Sequence, residues 1–475
     1  MDVNVIKELF MLSYKRILAA VMTASLAAAT AVSCSNKNSE NNSNTDITTA
    51  ATEPVTEPPE VDMNITWLSD YDLNPTGSNE RSAALALFEE YCGGTINYIA
   101  ATPDEKFTKL AAMLNAGEEV DMFPYEPNAV PYGVLQNQFE PLDPYFDILE
   151  KDTALWNDMN SIIDMFEYNG QHYVIPYSVS DPLVITYSRK IMKSEGLEDP
   201  YELYKKGEWN WDTFMEMMET FVANTPEGYK RYGINGWFGK AVFQSTGHTI
   251  INYKDGRLAN NINDKQIEKA SLLLQDIAEK QLCAPEMAYY FPADHSTLFF
   301  AMEDWSLGVS NAMNEDMDLM VVPFPKSPES DSYYLSCTYN ARMLVKNSKK
   351  GEAVANYIRC ERLAATEKSY LEEARKDALV VHKTDSGLTR SFVTGEQYDA
   401  LQEYMNPKNV KHLFDFGYGM GEKMYGSGAY SYETRGVMNN LTQALLESEP
   451  AVESWSALRD AWKGVIDEEI AKFNP

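Results

Sequence analysis

Short apolar runs alternate with amphipathic stretches along most of this chain. After residue 60 the pattern predicts strands at 63–69, 95–100 and 120–124, with helices at 80–91 and 103–115 between them. Strands that alternate with helices in this way are typical of a parallel sheet covered by helices. The predicted fold class is therefore α/β.

The same pattern continues towards the C-terminus. Strands are predicted at 173–177 and 183–187, and helices at 211–222, 264–279 and 351–363. The last segment repeats apolar residues at helical spacing, which predicts one amphipathic helix with Trp455 and Trp462 in the core. The ligand of an open parallel sheet binds beyond the carboxyl ends of its strands, so residues 69–71 and 125–128 are candidate cleft loops by position alone.

The N-terminus has the features of an export leader, residues 1–33. Lys15 and Arg16 precede an apolar run at 17–32 that is shorter than the roughly 20 residues needed to span a bilayer. A small residue then precedes Cys34. Translation from Met1 or from Met11 would give the same mature protein.

This junction resembles the lipobox of bacterial lipoproteins, in which the cysteine becomes lipidated and N-terminal after cleavage. The resemblance implies an exported protein anchored by Cys34 at the outer face of the bacterial cytoplasmic membrane. The following stretch up to residue 60 is almost free of large apolar residues, so 34–60 is predicted to be a disordered tether. As a flexible coil it would span roughly 30 Å on average.

Composition limits the class of partner. The 475 residues and 44% apolar content predict two globular domains. The formal net charge of −31, from 71 acidic and 40 basic residues, would repel a phosphate backbone, so we expect no nucleic acid partner.

Motifs of common enzyme classes are absent from the sequence. It contains no H-E-x-x-H, G-x-S-x-G or S-x-x-K, so we expect no zinc peptidase, α/β-hydrolase or β-lactam-type serine chemistry. The five histidines lack metal-ligand spacing, and we expect neither a metal nor a cofactor. The spacing of Cys92, Cys283, Cys337 and Cys360 leaves open whether their thiols are free or bridged.

From about residue 64 to residue 473 the order of motifs resembles family 1 extracellular solute-binding proteins, the group of the maltose-binding protein. The motifs are NGQHYVIPY, PLVITYSRKIMKSEGLEDP, WNWDTF, AMEDWSLGVSNAM, MDLMVVPFP and GEAVANYIRC. The resemblance implies a two-lobed periplasmic-binding-protein-like fold, with 61–172 and 320–361 in lobe I, and 173–319 and 362–475 in lobe II. Chain crossings at about 172–176, 318–322 and 360–364 would form the hinges.

The same resemblance implies a substrate-binding protein of an ABC importer, not an enzyme. It would capture a small molecule, most commonly a sugar or oligosaccharide, close around it and deliver it to the permease subunits in the membrane. We expect a monomer. Two alternatives stay open from the sequence: a receptor for a peptide or polyamine, and a secreted glycan-active hydrolase, which needs only two carboxylates.

The family alignment also implies ligand-binding positions. Those of the first lobe and its hinge are Asp70, Tyr71, Tyr125, Glu126, Asn128 and Asp181. Those of the second lobe are Trp237, Asn311 and Met313 at the expected strand end in GVSNAM, Tyr430 and Tyr432. Aromatic rings, carboxylates and amides suit the apolar face and hydroxyl rim of a sugar. Each residue also has a structural interpretation, as a solvated loop residue, a cap or part of the core.

Overall fold

A computed structural model describes residues 61–76, 80–383, 389–391, 393–426, 435–446 and 454–474. The predicted leader, Cys34 and the tether lie outside these ranges. Within them, no helix combines the length and the apolar content needed to cross a bilayer.

Strands and helices follow one another along the whole described chain. The strands are β1 (Asn64–Ser69), β2 (Thr95–Ala100), β3 (Met122–Pro124), β4 (Phe139–Glu140), β5 (Glu167–Tyr168), β6 (Gln171–His172), β7 (Ser178–Ser180), β8 (Leu183–Ser188), β9 (Tyr232–Gly236), β10 (Ile251–Lys254), β11 (Arg257–Asn260), β12 (Thr297–Glu303), β13 (Leu319–Pro323), β14 (Tyr334–Leu335), β15 (Thr338–Asn340), β16 (Arg342–Val345), β17 (Val381–Lys383), β18 (Thr389–Ser391) and β19 (Lys411–His412). The helices are α1 (Ala83–Cys92), α2 (Lys106–Ala116), α3 (Tyr132–Leu135), α4 (Phe146–Leu149), α5 (Asn160–Met165), α6 (Arg189–Glu195), α7 (Pro200–Lys206), α8 (Trp211–Ala223), α9 (Gly239–Gln244), α10 (Lys265–Glu279), α11 (Leu307–Met313), α12 (Gly351–Ala364), α13 (Lys368–Ala378), α14 (Gly395–Met405), α15 (Glu422–Tyr425), α16 (Gly436–Gln443) and α17 (Trp455–Ala471).

The first main sheet has the strand order β2-β1-β3-β16-β4. β1 runs parallel to β2 and β3, as the sequence predicted, while β16 is antiparallel to β3 and β4. Ile65, Trp67 and Leu68 of β1 are fully buried, which fits a strand covered on both faces. The carboxyl ends of β1 and β3 therefore meet at one edge of this sheet.

The second main sheet has the order β13-β8-β12-β9, with β8 antiparallel to both of its neighbours and β12 parallel to β9. All residues of β8 and β13 are buried. Each sheet is covered by its own helices: α2 and α12 pack on the first sheet, and α8 packs on the second. The antiparallel pair β7 and β15 lies where the chain passes from one sheet to the other.

The structure moves one predicted lobe boundary. The chain was expected to return to lobe I at 318–322, but β13 is a buried strand of the second sheet, because its backbone pairs with β8. The chain rejoins the first sheet only at β16, directly after β15. The start of the returning segment at residue 320 is therefore wrong, and the return lies at β15.

Helix starts follow local capping chemistry. Asn210 caps α8, its side chain accepting hydrogen bonds from the N–H groups of Asp212 and Thr213, while the Thr213 hydroxyl accepts one from the Asn210 N–H. Thr394 and Gln397 form the same reciprocal arrangement at α14. These motifs explain why 211–222 and the start of α14 are helical.

Two expectations about local structure are wrong. The predicted strand at 173–177 is not a strand in the structure, since Pro176 cannot donate to a ladder and the segment crosses between sheets. Asn311 and Met313 do not follow a strand: β12 ends at Glu303, and both residues belong to α11. An apolar run of this length fits a helix or a strand, and its periodicity does not separate the two.

Candidate ligand-binding cleft

A cavity of about 520 Å³ lies between the two sheets. Its first wall is formed by the loops after β1 and β3 and by the start of α2, and its floor by β15 and the start of β16. Its opposite wall comes from α9 and from the segment after β19. The size and the mixed polar and aromatic lining are typical of small-molecule sites.

An ion-pair cluster forms the first wall. Lys106, the first residue of α2, has a side chain only 4% exposed, and its Nζ contacts Asp70 Oδ1 at 3.0 Å and also Glu126 Oε1. Burial lowers the pKa of Lys106, but Glu126 and Asp70 outweigh that effect and raise it. Burial raises the pKa of Glu126, with Lys106 opposing. One ammonium group thus fixes two carboxylates at the cavity surface.

Tyr71 is held from behind by a buried guanidinium group. Arg342 Nη1 donates to the Tyr71 hydroxyl at 2.9 Å, and Arg342 Nη2 donates to Glu361 Oε1 at 2.7 Å. Burial raises the pKa of Tyr71 to about 12, so its hydroxyl stays protonated. Trp67 Nε1 also donates to the Tyr71 carbonyl at 2.9 Å. Tyr71 is therefore a rigid part of the wall.

Aromatic rings line the floor and the far side of the cavity. Phe166 lies behind them: its ring meets Tyr125 and Tyr339 edge-on, with centroids 5.3 Å apart in both pairs, and packs at 4.4 Å against Phe414. Tyr125, Tyr339 and Phe414 all line the cavity. This arrangement offers apolar faces of the kind that stack against sugar rings.

Asp181 lies in the floor, and two further acids that interact with it or with each other, Glu303 and Asp304, lie outside the lining. Thr338 Oγ1 donates to Asp181 Oδ2 at 2.6 Å. This hydrogen bond joins the start of β15 to the residue that follows β7. Asp181 has a φ of 46°, in the left-handed region that Asp tolerates. Burial, together with the charges of Asp181 and Glu303, raises the pKa of Asp304 to about 8. At neutral pH this carboxyl is therefore largely protonated.

Helix α9 brings a lysine and a glutamine to the second wall. Lys240 and Gln244 are four residues apart, so they share one helix face, and both line the cavity. The chain enters α9 through Gly236, whose φ is 108° and where a Cβ would lie 2.0 Å from the Ala301 carbonyl oxygen. Only glycine fits there, and the turn fixes where α9 begins.

Asp415 and Tyr418 complete this wall. Asp415 is 5% exposed and accepts backbone N–H bonds from Ile250 at 2.6 Å, Gly417 at 3.0 Å and Ile251 at 3.1 Å. Burial raises its pKa to about 6, with those three bonds opposing. The Lys240 Nζ lies 4.7 Å from the centroid of the Tyr418 ring.

The structure brings five of the sequence-predicted residues to the cavity. Asp70, Tyr71, Tyr125, Glu126 and Asp181 all line it. They come from the carboxyl ends of β1 and β3 and from the β7 connection, as the position rule for such sheets requires.

Four others lie elsewhere. Asn128 is outside the lining, and its Oδ1 accepts from the Gly421 N–H at 3.2 Å. Trp237 is half-buried against the core and does not line the cavity. Asn311 exchanges two amide hydrogen bonds with Gln397, and the Met313 side chain is exposed. Tyr430 and Tyr432 lie outside the described residues.

Sequence reasoning missed much of the second wall and the floor, and Lys106 in the first wall. The missed residues are Lys106, Lys240, Gln244, Thr338, Tyr339, Arg342, Phe414, Asp415 and Tyr418. Only Lys240 had a local signal, since it lies three residues after Trp237, a position that the family alignment implied. The others come together through tertiary contacts that no local motif encodes.

The sequence model of one protein family, the bacterial extracellular solute-binding proteins, matches residues 83–351, more than half of the chain. The chain belongs to this family. The predicted resemblance is therefore confirmed. Because proteins of this family are extracellular, this chain is an exported binding protein. A search of curated protein sequences gives no match.

Solved structures of such proteins share the fold at low sequence identity. MalE from Xanthomonas citri, a sugar-binding protein, has a TM-score of 0.60 at 13% identity, with 86% of this chain and 98% of that chain covered. The Bifidobacterium longum protein that binds galacto-N-biose and lacto-N-biose has a TM-score of 0.58 at 11% identity, covering 88% and 99%. UgpB from Mycobacterium tuberculosis, solved with glycerophosphocholine, has 0.55 at 15%, covering 86% and 99%. The two-lobed α/β fold of this solute-binding protein is thus confirmed.

Proposed function

We propose that this chain is the substrate-binding lipoprotein of an ABC importer that captures a sugar or short oligosaccharide in the cavity described above. The observation that carries the proposal is the composition of one 520 Å³ cavity, which combines fixed carboxylates at Asp70 and Glu126 with aromatic faces at Tyr125, Tyr339 and Phe414. Carboxylates accept from sugar hydroxyls, and rings cover the apolar face of the sugar.

Delivery to the permease would depend on closure of the two sheets around the ligand. The β7 and β15 segments connect the sheets and also line the floor, so a ligand that contacts both walls favours the closed form. The permease would distinguish the closed from the open receptor. Cys34 would carry the lipid anchor, and 34–60 would give the receptor its reach.

Family membership and fold support this proposal. The sequence matches the solute-binding family, and proteins of the same fold bind lacto-N-biose and other sugars in ABC transport. Of the positions that the alignment implies, we propose the five that line the cavity as ligand contacts. Asp70, Tyr71, Tyr125, Glu126 and Asp181 have the strongest support, because they already line the cavity.

Calorimetric titration of the exported chain with mono- and oligosaccharides, a dipeptide mixture and spermidine tests the proposal. We expect saturable binding of one sugar class without turnover. The bound sugar should also raise the melting temperature, because at a hundredfold excess over Kd it stabilises the folded state by about 2.7 kcal/mol. A matched pair of variants locates the site: Tyr339→Ala should abolish binding, and the exposed Tyr229→Ala should not. Binding of spermidine or peptides alone would remove the sugar, and cleavage of a saccharide would make the protein an enzyme.

A further inference from the structure

Among the described residues that line the cavity, Lys240 is the cation that no carboxylate contacts. Of the other two basic residues in the lining, Lys106 is paired with Asp70 and Glu126, and Arg342 with Glu361. Lys240 makes no ion pair or hydrogen bond within the described part of the chain, and its Nζ lies over the Tyr418 ring. An ammonium group facing a cavity without a partner is costly unless a ligand supplies one.

The acids nearest to Lys240 already have donors of their own. Asp415 accepts three backbone N–H bonds, and Asp181 accepts from Thr338. Glu303 accepts from Trp305 Nε1 at 2.8 Å. Burial lowers the pKa of Lys240, and the charges of Cys337, Glu303 and Asp415 oppose that effect only in part. The neighbouring acids therefore do not fully stabilise the positive charge of Lys240, and another negative charge would stabilise it further.

Gln244 adds an independent sign of a missing ligand. It is 6% exposed, lines the cavity one turn after Lys240, and its Oε1 has no hydrogen-bond partner in the described structure. A buried amide without a partner costs on the order of 1–3 kcal/mol, so such groups are normally satisfied by a ligand or water. The oxygen and the nitrogen of a glutamine amide can exchange places, and the NH2 group of Gln244 would then occupy the unpartnered position as a donor.

We propose that Lys240 and Gln244 form a subsite for an anionic oxygen group, a carboxylate or a phosphate, on the bound sugar. The inference rests on the proposed function and narrows its substrate class to acidic saccharides. The ammonium group of Lys240 contacts one oxygen of the anion, and the Gln244 amide donates to another. The aromatic and carboxylate walls then hold the neutral part of the sugar.

The test compares sugars that differ in charge alone, by calorimetric titration of the exported chain in detergent. The probes are digalacturonate against α-1,4-galactobiose, galacturonic acid against galactose, and glucose 6-phosphate against glucose, with spermidine as the opposite charge. We expect one acid to bind at least tenfold more tightly than its neutral counterpart. The uronates and the sugar phosphate distinguish the two sources of the anionic group.

Variants assign the preference to the subsite. Lys240→Gln removes the charge and should weaken the acid by roughly tenfold to a hundredfold, the range for a charge-assisted hydrogen bond, with less than a threefold effect on the neutral sugar. Gln244→Glu should weaken the acid similarly. The control is Lys230→Gln, an exposed lysine before β9, which should change neither. Thermal unfolding of each variant checks that it folds.

Three outcomes would overturn the proposal. Equal affinity for acidic and neutral sugars, equal weakening of both by Lys240→Gln, or binding of spermidine alone each excludes an anion subsite. In the first two cases a sugar still binds, so the proposed function survives without the subsite. If no saccharide binds, the proposed function fails, and the subsite fails with it.

Discussion

The hydroxyl of Thr338 donates a 2.6 Å hydrogen bond to Asp181, and this contact joins the two chain segments that connect the sheets. Ser180 Oγ lies 2.7 Å from Thr338 Oγ1, so the contact continues along the β7–β15 pair. Both residues of the bond line the cavity. The connection between the sheets and the lining of the cavity are therefore coupled through one side-chain pair.

Replacing Thr338 should affect ligand binding more than stability. Thr338→Val keeps the shape of the side chain and removes the donor. The Asp181 carboxylate then loses the hydrogen bond that orients it, and its charge acts more strongly on Asp304. We expect affinity to fall by roughly threefold to tenfold, with a loss of about 1 kcal/mol or less in unfolding free energy because the bond is exposed. Thr338→Ser is the control and should keep wild-type affinity in the same titration.

Removal of Lys106 should weaken both the fold and the site. In Lys106→Met, Asp70 and Glu126 lose the ammonium group between them and repel each other, which displaces two ligand-facing carboxylates. We expect a loss of about 2–4 kcal/mol in urea unfolding and of more than tenfold in affinity. Lys109→Met is the matched control on the same helix, since its Nζ donates only to the exposed Ala100 carbonyl. Similar losses in both variants would argue against a role for the carboxylate pair.

The buried pair of Arg342 and Glu361 should be costly to break. Arg342 is 4% and Glu361 7% exposed, so Glu361→Ala leaves a guanidinium group buried without its counter-charge. We expect a loss of about 3–5 kcal/mol in unfolding free energy. The partly exposed pair Arg81–Glu89 provides the comparison, and Glu89→Ala should cost less than about 1 kcal/mol. Equal costs would contradict the assignment of Arg342 to the core.

Stability should fall as pH rises because of Asp304. Its pKa is raised from 3.8 to about 8 in the folded protein, by burial and by the charges of Asp181 and Glu303. The folded state therefore holds this proton more tightly than the unfolded chain, and the free energy of unfolding decreases between about pH 4 and pH 8. We expect a contribution on the order of 1–3 kcal/mol, since Asp304 is half-buried. Asp304→Asn should flatten this part of the pH profile measured by calorimetry, and an unchanged profile would contradict the raised pKa.

Membrane attachment should depend on Cys34. In cells given a radiolabelled fatty acid, the wild-type chain should take up label and sediment with membranes. Cys34→Ser should lose the label, while Cys92→Ser, a cysteine within the folded body, should keep it. Label that persists in Cys34→Ser would exclude the predicted anchor.

The order of elements was readable from sequence where local chemistry decides it. The bounds of β1, α8 and α10 were all predicted to within a few residues. The boundary at residue 320 was not, because membership of β13 in the second sheet depends on pairing with β8, more than 130 residues earlier. The apolar pattern of a segment predicts that it is a strand, but the sheet that the strand joins is decided by its pairing with distant strands.

The candidate site divides in the same way. Asp70, Tyr125 and Glu126 were predicted because they follow strands whose carboxyl ends share an edge. Tyr339 and Asp415 could not be found, since they reach the cavity only when β15 and the segment after β19 pack between the sheets. The signal for such residues lies in contacts across the whole chain.

The strand order has a consequence for how the protein is made. β16 inserts between β3 and β4, so the first sheet cannot close until residues 342–345 have been synthesised. Until then the nascent chain lacks that strand, and contacts this distant in sequence form slowly. Late closure would keep the polypeptide loose enough to thread through a translocation channel, so the interleaved topology suits a protein that must fold after it has left the cell.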